Sequence, residues 1–94
     1  MNNQRHFRIL DRTSQREAEQ IGTLINDLGR IVQLLNCDIE TEEERAGVSD
    51  RSNAAYPILA RTLAARRDNL RETMAALERR LVTIKTPLGN AVAA

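Results

Sequence analysis

The chain has 94 residues, a net charge of +1 and only two aromatic residues, Phe7 and Tyr56. That length fits one domain with a thin core. No apolar run approaches the ~20 residues of a membrane span, no apolar signal core follows Arg5 and Arg8, and the lone Cys37 excludes an intrachain disulfide. A soluble, cytoplasmic protein is the expectation.

Hydrophobic residues make up 41% of the chain and charged residues 29%. An Ala-, Leu-, Glu- and Arg-rich composition favours helix over sheet. Charge is segregated: residues 1–16 carry +3, residues 17–50 carry −7 and residues 51–94 carry +5. An acidic first helix and a basic second helix attract each other, within one chain or between two. That reading of the basic half is preferred to nucleic-acid binding.

Residues 1–13 are weakly specified and read as an N-terminal arm in which Phe7, Ile9 and Leu10 can dock or extend the first helix. Ser14 with Glu17 fits a capping box, so the first helix is predicted over about 14–45. From Ala18 a heptad pattern is clear. Ala18, Ile21, Ile25, Leu28, Val32, Leu35 and Ile39 recur at alternating steps of three and four, an a/d seam. Leu24 and Ile31 widen it on one flank; Gly22 and Gly29 lie on the other. Each glycine costs a helix interior roughly 1 kcal/mol relative to Ala. Either a neighbouring helix packs closely there or the glycines are tolerated. Cys37 falls on the outer face.

The pattern fades at Glu42, and Gly47 is a natural terminator. Ser49, Asp50 or Asn53 can cap a second helix. Pro57 is acceptable only in a first turn, so that helix is predicted over about 53–85. Leu63, Leu70, Leu77 and Ile84 repeat at seven residues, with Leu59, Met74 and Leu81 beside them. Arg66, Thr73 and Arg80 interrupt the row, their stems packing and their heads reaching water. Thr86-Pro87 and Gly89 end the helix, and residues 86–94 form a flexible tail.

A short connection places the two helices antiparallel and adjacent. One register aligns Ile39 with Leu59, Leu35 with Leu63, Leu28 with Leu70 and Ile21 with Leu77. Each helix would be about 45 Å long. Two helices touch along a single line, and the apolar arc of the first is wider than that line. The fold class is therefore all-α, a long antiparallel helical hairpin that dimerises into a four-helix bundle.

Chemistry-bearing constellations are sparse. His6 and Cys37 are single and far apart, too few for a zinc site. The acids at 40–44 lack calcium-loop spacing. No triad arrangement or phosphate loop is recognisable, and a hairpin has little concave volume for a substrate. No enzyme activity, cofactor, metal or small-molecule substrate is expected. Arg66, Arg67 and Arg71 offer a basic surface, but acids are interleaved and no aromatic platform accompanies them.

The first functional expectation is a non-enzymatic interaction module that self-associates through Ile21, Leu24, Ile25, Leu28, Ile31, Val32, Leu35, Leu63, Leu70, Leu77 and Leu81, with Gly22 and Gly29 permitting close packing. The second is an adaptor whose hairpin captures a client helix; in size and charge pattern the chain is broadly similar to small helical secretion and flagellar chaperones. The third is a nucleic-acid-binding helical bundle.

Overall fold

A computed structural model describes the backbone of residues 2–86 and the side chains of residues 11–86. Among the described residues there are two helices, α1 (Asn2–Ala46) and α2 (Ile58–Lys85), packed against each other, and no strand. The expected tail at 86–94 lies outside the described residues beyond Thr86, as do the side chains of His6, Phe7, Ile9 and Leu10.

α1 does not start at Ser14. It runs through from Asn2, because no Gly or Pro interrupts residues 2–21. Ser14 is a half-buried interior residue. Glu17 does not reach back to cap; it pairs across the hairpin with Arg80, 2.8 Å away. At 45 residues α1 is about 68 Å long, against about 42 Å for the 28 residues of α2. α2 ends level with the stretch from Asp11 to Ala18, which shares a shallow groove with Ile84 and Lys85.

Gly47 ends α1 as the sequence suggests. Its φ of +69° is left-handed. Its N–H donates to Glu44 O, and the N–H of Val48 donates to Glu43 O, both at 3.2 Å. These two bonds form a Schellman motif, where glycine avoids the Cβ penalty. Val48 then turns back onto the core.

α2 begins at Ile58 rather than near Asn53. Proline disfavours the helical region for the residue before it, so Tyr56 cannot belong to a helix that continues through Pro57. Pro57 is extended (φ −61°, ψ 133°) and offers its carbonyl to the N–H of Arg61 at 3.1 Å. Asp50 and Asn53 cap turns of the connection instead of the helix. Asp50 Oδ1 accepts from the Ser52 backbone N–H (3.0 Å) and hydroxyl (2.7 Å), and Asn53 Oδ1 accepts from Ala55 N–H (2.8 Å). Those bonds from Ser52 hold the Asp50 carboxyl below its usual pKa.

The core is densest at the connection. Ile39, Tyr56, Ala60 and Ala64 are buried together, with Val48 and Leu63 packed against them. Ile21, Val32, Leu35 and Ile84 continue the buried line toward the other end. Of the expected pairs, Ile39 with Leu59 is not made: Ile39 packs with Tyr56, Ala60 and Ala64, whereas Leu59 is largely exposed. The small Ala60 and Ala64 let α2 approach Ile39 closely; a Leu at either position would hold the helices further apart.

Candidate interaction face

Each helix presents two seam rows to the other. In α1 they are Ile21, Leu28 and Leu35, and Ile25, Val32 and Ile39. In α2 they are Tyr56, Leu63, Leu70, Leu77 and Ile84, and Ala60, Arg67, Met74 and Leu81. The α2 heptad therefore runs unbroken from Tyr56, two residues before the helix begins. Arg66, Thr73 and Arg80, expected to interrupt this seam, are exposed and lie one row outside it. The polar residue inside the seam is Arg67.

Arg67 is half-buried and well held. Its Nη1 donates to Asn36 Oδ1 at 3.0 Å, and its Nε and Nη2 each donate to Asp68 Oδ1 at 3.1 Å. A guanidinium has no acceptor function and must spend its N–H groups on partners when drawn inward. Asn36 supplies one from α1, which ties the register of the two helices to a polar contact. Arg66, Arg67 and Arg71 consequently do not form one basic surface. Arg67 faces α1, and Arg66 and Arg71 lie on opposite flanks of the seam.

The connection end is held by Tyr56. Its hydroxyl donates to Glu43 Oε2 at 2.7 Å. Arg61 lies over the ring, 5.5 Å from its centroid, and donates from Nη2 to Arg51 O at 3.2 Å. The carboxylate of Glu43 accepting that hydrogen bond raises the phenol's pKa above its ordinary value, and burial acts in the same direction.

The two edges of the hairpin differ. In an antiparallel pair, the flank before the seam on one helix lies beside the same flank on the other. The first edge is marked by the Glu17–Arg80 bridge. It carries Leu24, Ile31 and Asp38 from α1, and Leu59, Arg66 and Thr73 from α2. The second edge is marked by the Asn36–Arg67 bond, the approach of Met74 to Gly29 and the Glu43–Tyr56 bond. It carries small and polar groups: Gly22, Gly29, Asn36 and Glu43 from α1, and Ala64, Arg71 and Glu78 from α2.

Four of the six exposed large apolar residues among the described residues lie on or beside the first edge, while Ile58 and Val82 are exposed elsewhere on α2. Leu24 is 45% exposed, Ile31 39%, Leu59 51% and Leu34, one row further out, 65%. The half-buried Leu28, Leu63, Leu70 and Leu77 belong to the seam rows next to this edge. The interaction residues named from sequence therefore divide. Ile21, Val32 and Leu35 are buried within the chain; Ile25, Leu28, Leu63, Leu70, Leu77 and Leu81 are half-buried; Leu24 and Ile31 remain uncovered. Leu34 was not separable by periodicity, because it lies one row outside the flank row. Tyr56 was legible only by extending the α2 heptad back past Pro57, and Arg67 only by following the row from Ala60 to Met74 and Leu81.

Within the hairpin the glycines do not mark a tight crossing. A Cβ at Gly22 would meet nothing within 4 Å, and one at Gly29 would meet only Met74 Cε at 3.6 Å, an ordinary contact. Cys37 is exposed. Among the described residues, no three His, Cys, Asp or Glu side chains cluster as a metal site would require, and no helix is long and apolar enough to cross a membrane. Comparison with family models, curated proteins and solved structures finds no match to this chain.

Proposed function

We propose that the protein is a non-catalytic helical interaction module that works by self-association, two hairpins forming a four-helix bundle. The observation that supports this reading is the clustering of Leu24, Ile31, Leu34 and Leu59, four of the six exposed large apolar residues among the described residues, along one edge. Apolar residues scattered singly over a surface need no explanation. Here they line one edge of an elongated two-helix layer, while the other edge is small and polar. Among the described residues no third element covers that edge, and small scaffolds in this position gain stability by oligomerising.

Molar mass by light scattering across a dilution series tests the proposal. A mass of about twice the chain's 10.6 kDa, falling only at high dilution, is expected. A folded protein that stays at the single-chain mass would refute self-association and leave the same edge free for a client's amphipathic helix.

A further inference from the structure

Charge is polarised along the length of the hairpin. Residues 1–16 carry +3 and residues 79–86 carry +3, while residues 17–78 carry −5. The open end, where α2 stops level with the stretch from Asp11 to Ala18, is therefore a basic pole that draws anions toward it.

Within that pole the arginines of α1 are ordered. Arg5, Arg8, Arg12 and Arg16 follow one another at steps of three and four, so a helix continuous from Asn2 sets all four positions on one face. That face lies away from the seam: Phe7 and Ser14 continue the row of Ile21, and Asp11 and Ala18 the row of Ile25. Asp11 lines the groove that holds Ile84 and Lys85; Glu19, the next step along the stripe, lines the same groove and ends the stripe. Arg12 and Arg16 are exposed, and neither has an ion pair among the described residues.

Such a stripe is unfavourable for the helix alone. Arg8 with Arg12, and Arg12 with Arg16, are like charges four residues apart. No acid stands in the first turn of α1, and cations near a helix N-terminus oppose its dipole. An anion running along the stripe offsets both effects. Residue type and spacing suit phosphate. The planar fork of arginine matches phosphate oxygens. Arg5 to Arg16 spans about 16 Å of helix rise, the axial length of about five nucleotides on one strand of a duplex. No aromatic residue lies on the stripe to stack the bases of a single strand. Of the nearby apolar residues Phe7, Ile9 and Leu10, only Ile9 borders it, whereas a helix lying on a bilayer buries an apolar face beside its cations. The major groove of B-form DNA, about 12 Å wide, admits a single helix.

We propose that the outer face of the N-terminal stretch of α1 binds the phosphate backbone of duplex DNA, without sequence preference, through Arg5, Arg8, Arg12 and Arg16. One chain suffices, so binding is independent of self-association. The arginines of α2 are not required.

Fluorescence anisotropy of a labelled, mixed-sequence duplex of about 20 base pairs, titrated with the full chain between about 50 mM and 200 mM KCl, is the test. Each neutralised phosphate adds about 0.9 to the fall of log affinity with log salt, so four arginines give a slope of about −3.6 and roughly a hundredfold loss across that range. Arg12→Gln with Arg16→Gln should halve the slope to about −1.8 and cut the loss to roughly tenfold, with helix content and molar mass unchanged. If both arms of a dimer engage one duplex, both slopes double and their ratio stays. Arg66→Gln with Arg71→Gln should leave the slope as it is in the parent. Absence of binding at about 50 mM KCl with protein up to about 100 μM would overturn the proposal, as would an unchanged slope in the Arg12 and Arg16 variant. Tighter binding to the matching single strand would also overturn it. So would binding to phosphatidylserine-containing vesicles with none to the duplex, which would assign the stripe to an anionic bilayer instead.

Discussion

Ile31→Asp separates folding from assembly, because Ile31 keeps 39% of its surface exposed within the chain. Complete burial of such a side chain is worth about 1.5–3 kcal/mol. Covering what remains exposed therefore contributes about 1 kcal/mol per chain, or about 2 kcal/mol per two-fold dimer. The variant loses that and sets two carboxylates into the interface, at about 1–3 kcal/mol each when they find no partner. The total, about 4–8 kcal/mol, corresponds to a dimer Kd raised by roughly a thousandfold or more. Within the chain the loss is limited to the partial burial already made, about 1–2 kcal/mol. Light scattering and far-ultraviolet circular dichroism on one dilution series read assembly and helix content separately. A helical monomer is expected at concentrations where the parent is dimeric. An unchanged mass across the series would refute the assignment of this edge. Leu28→Asp is a blunter test, since Leu28 is half-buried in the seam and a charge there attacks the hairpin itself.

Glycine substitutions should differ in sign by position. Gly22→Ala and Gly29→Ala should each stabilise the hairpin by roughly 1 kcal/mol, a rise of several degrees in thermal midpoint, because neither added Cβ meets a clash; Gly47→Ala should cost about 1–2 kcal/mol, because its φ is +69°. Arg67→Ala should lower stability by about 1–2 kcal/mol in chemical denaturation, through lost stem packing and an unpartnered Asn36, whereas Arg67→Met should recover most of the packing. Tyr56 is the only tyrosine, so absorbance near 295 nm follows its ionisation alone, and the phenol should titrate above the ordinary value of about 10. Its folded-state pKa is raised, so the contribution is fully present below the unfolded pKa and is lost as pH rises through the folded one. Tyr56→Phe should be less stable than the parent at neutral pH and should lack that alkaline step.

The hairpin was legible because its signals are local and repeated. The heptads of Ile21 through Ile39 and of Leu63 through Ile84 leave no other periodicity, and Gly47 can hardly sit anywhere but at a helix end. The start of α1 was not legible, since a capping box at Ser14 and Glu17 looks the same whether it caps or merely lies within a helix. Only the bond from Arg80 to Glu17, across 63 positions of sequence, decides it. The expected pairing of Ile39 with Leu59 failed for a related reason. Leucine repeats show which face is apolar but not how far one helix slides along the other. Here that offset follows from small and polar residues: Ala60 and Ala64 against Ile39, and Arg67 on Asn36. Pattern matching on large apolar residues gives such positions no weight.

The charge segregation takes on a different meaning once the pairs are located. Attraction between an acidic and a basic helix explains the composition well if the charges meet within the hairpin. They largely do not. Arg30 pairs with Asp27 and Arg45 with Glu42 inside α1; Asp68 draws Arg51 and Arg67; among the described residues only Glu17–Arg80 is an ion pair joining α1 to α2. Exposed pairs of this kind are each worth about 0–1 kcal/mol, so they account for little of the hairpin's stability. Their placement matters more than their strength. The exposed edge row of α1 carries Glu17, Asp38 and Arg45, and that of α2 carries Arg66 and Arg80, with apolar residues between them. In the proposed assembly the leucines and isoleucines between those charges supply the affinity, and the charges around them tune its specificity.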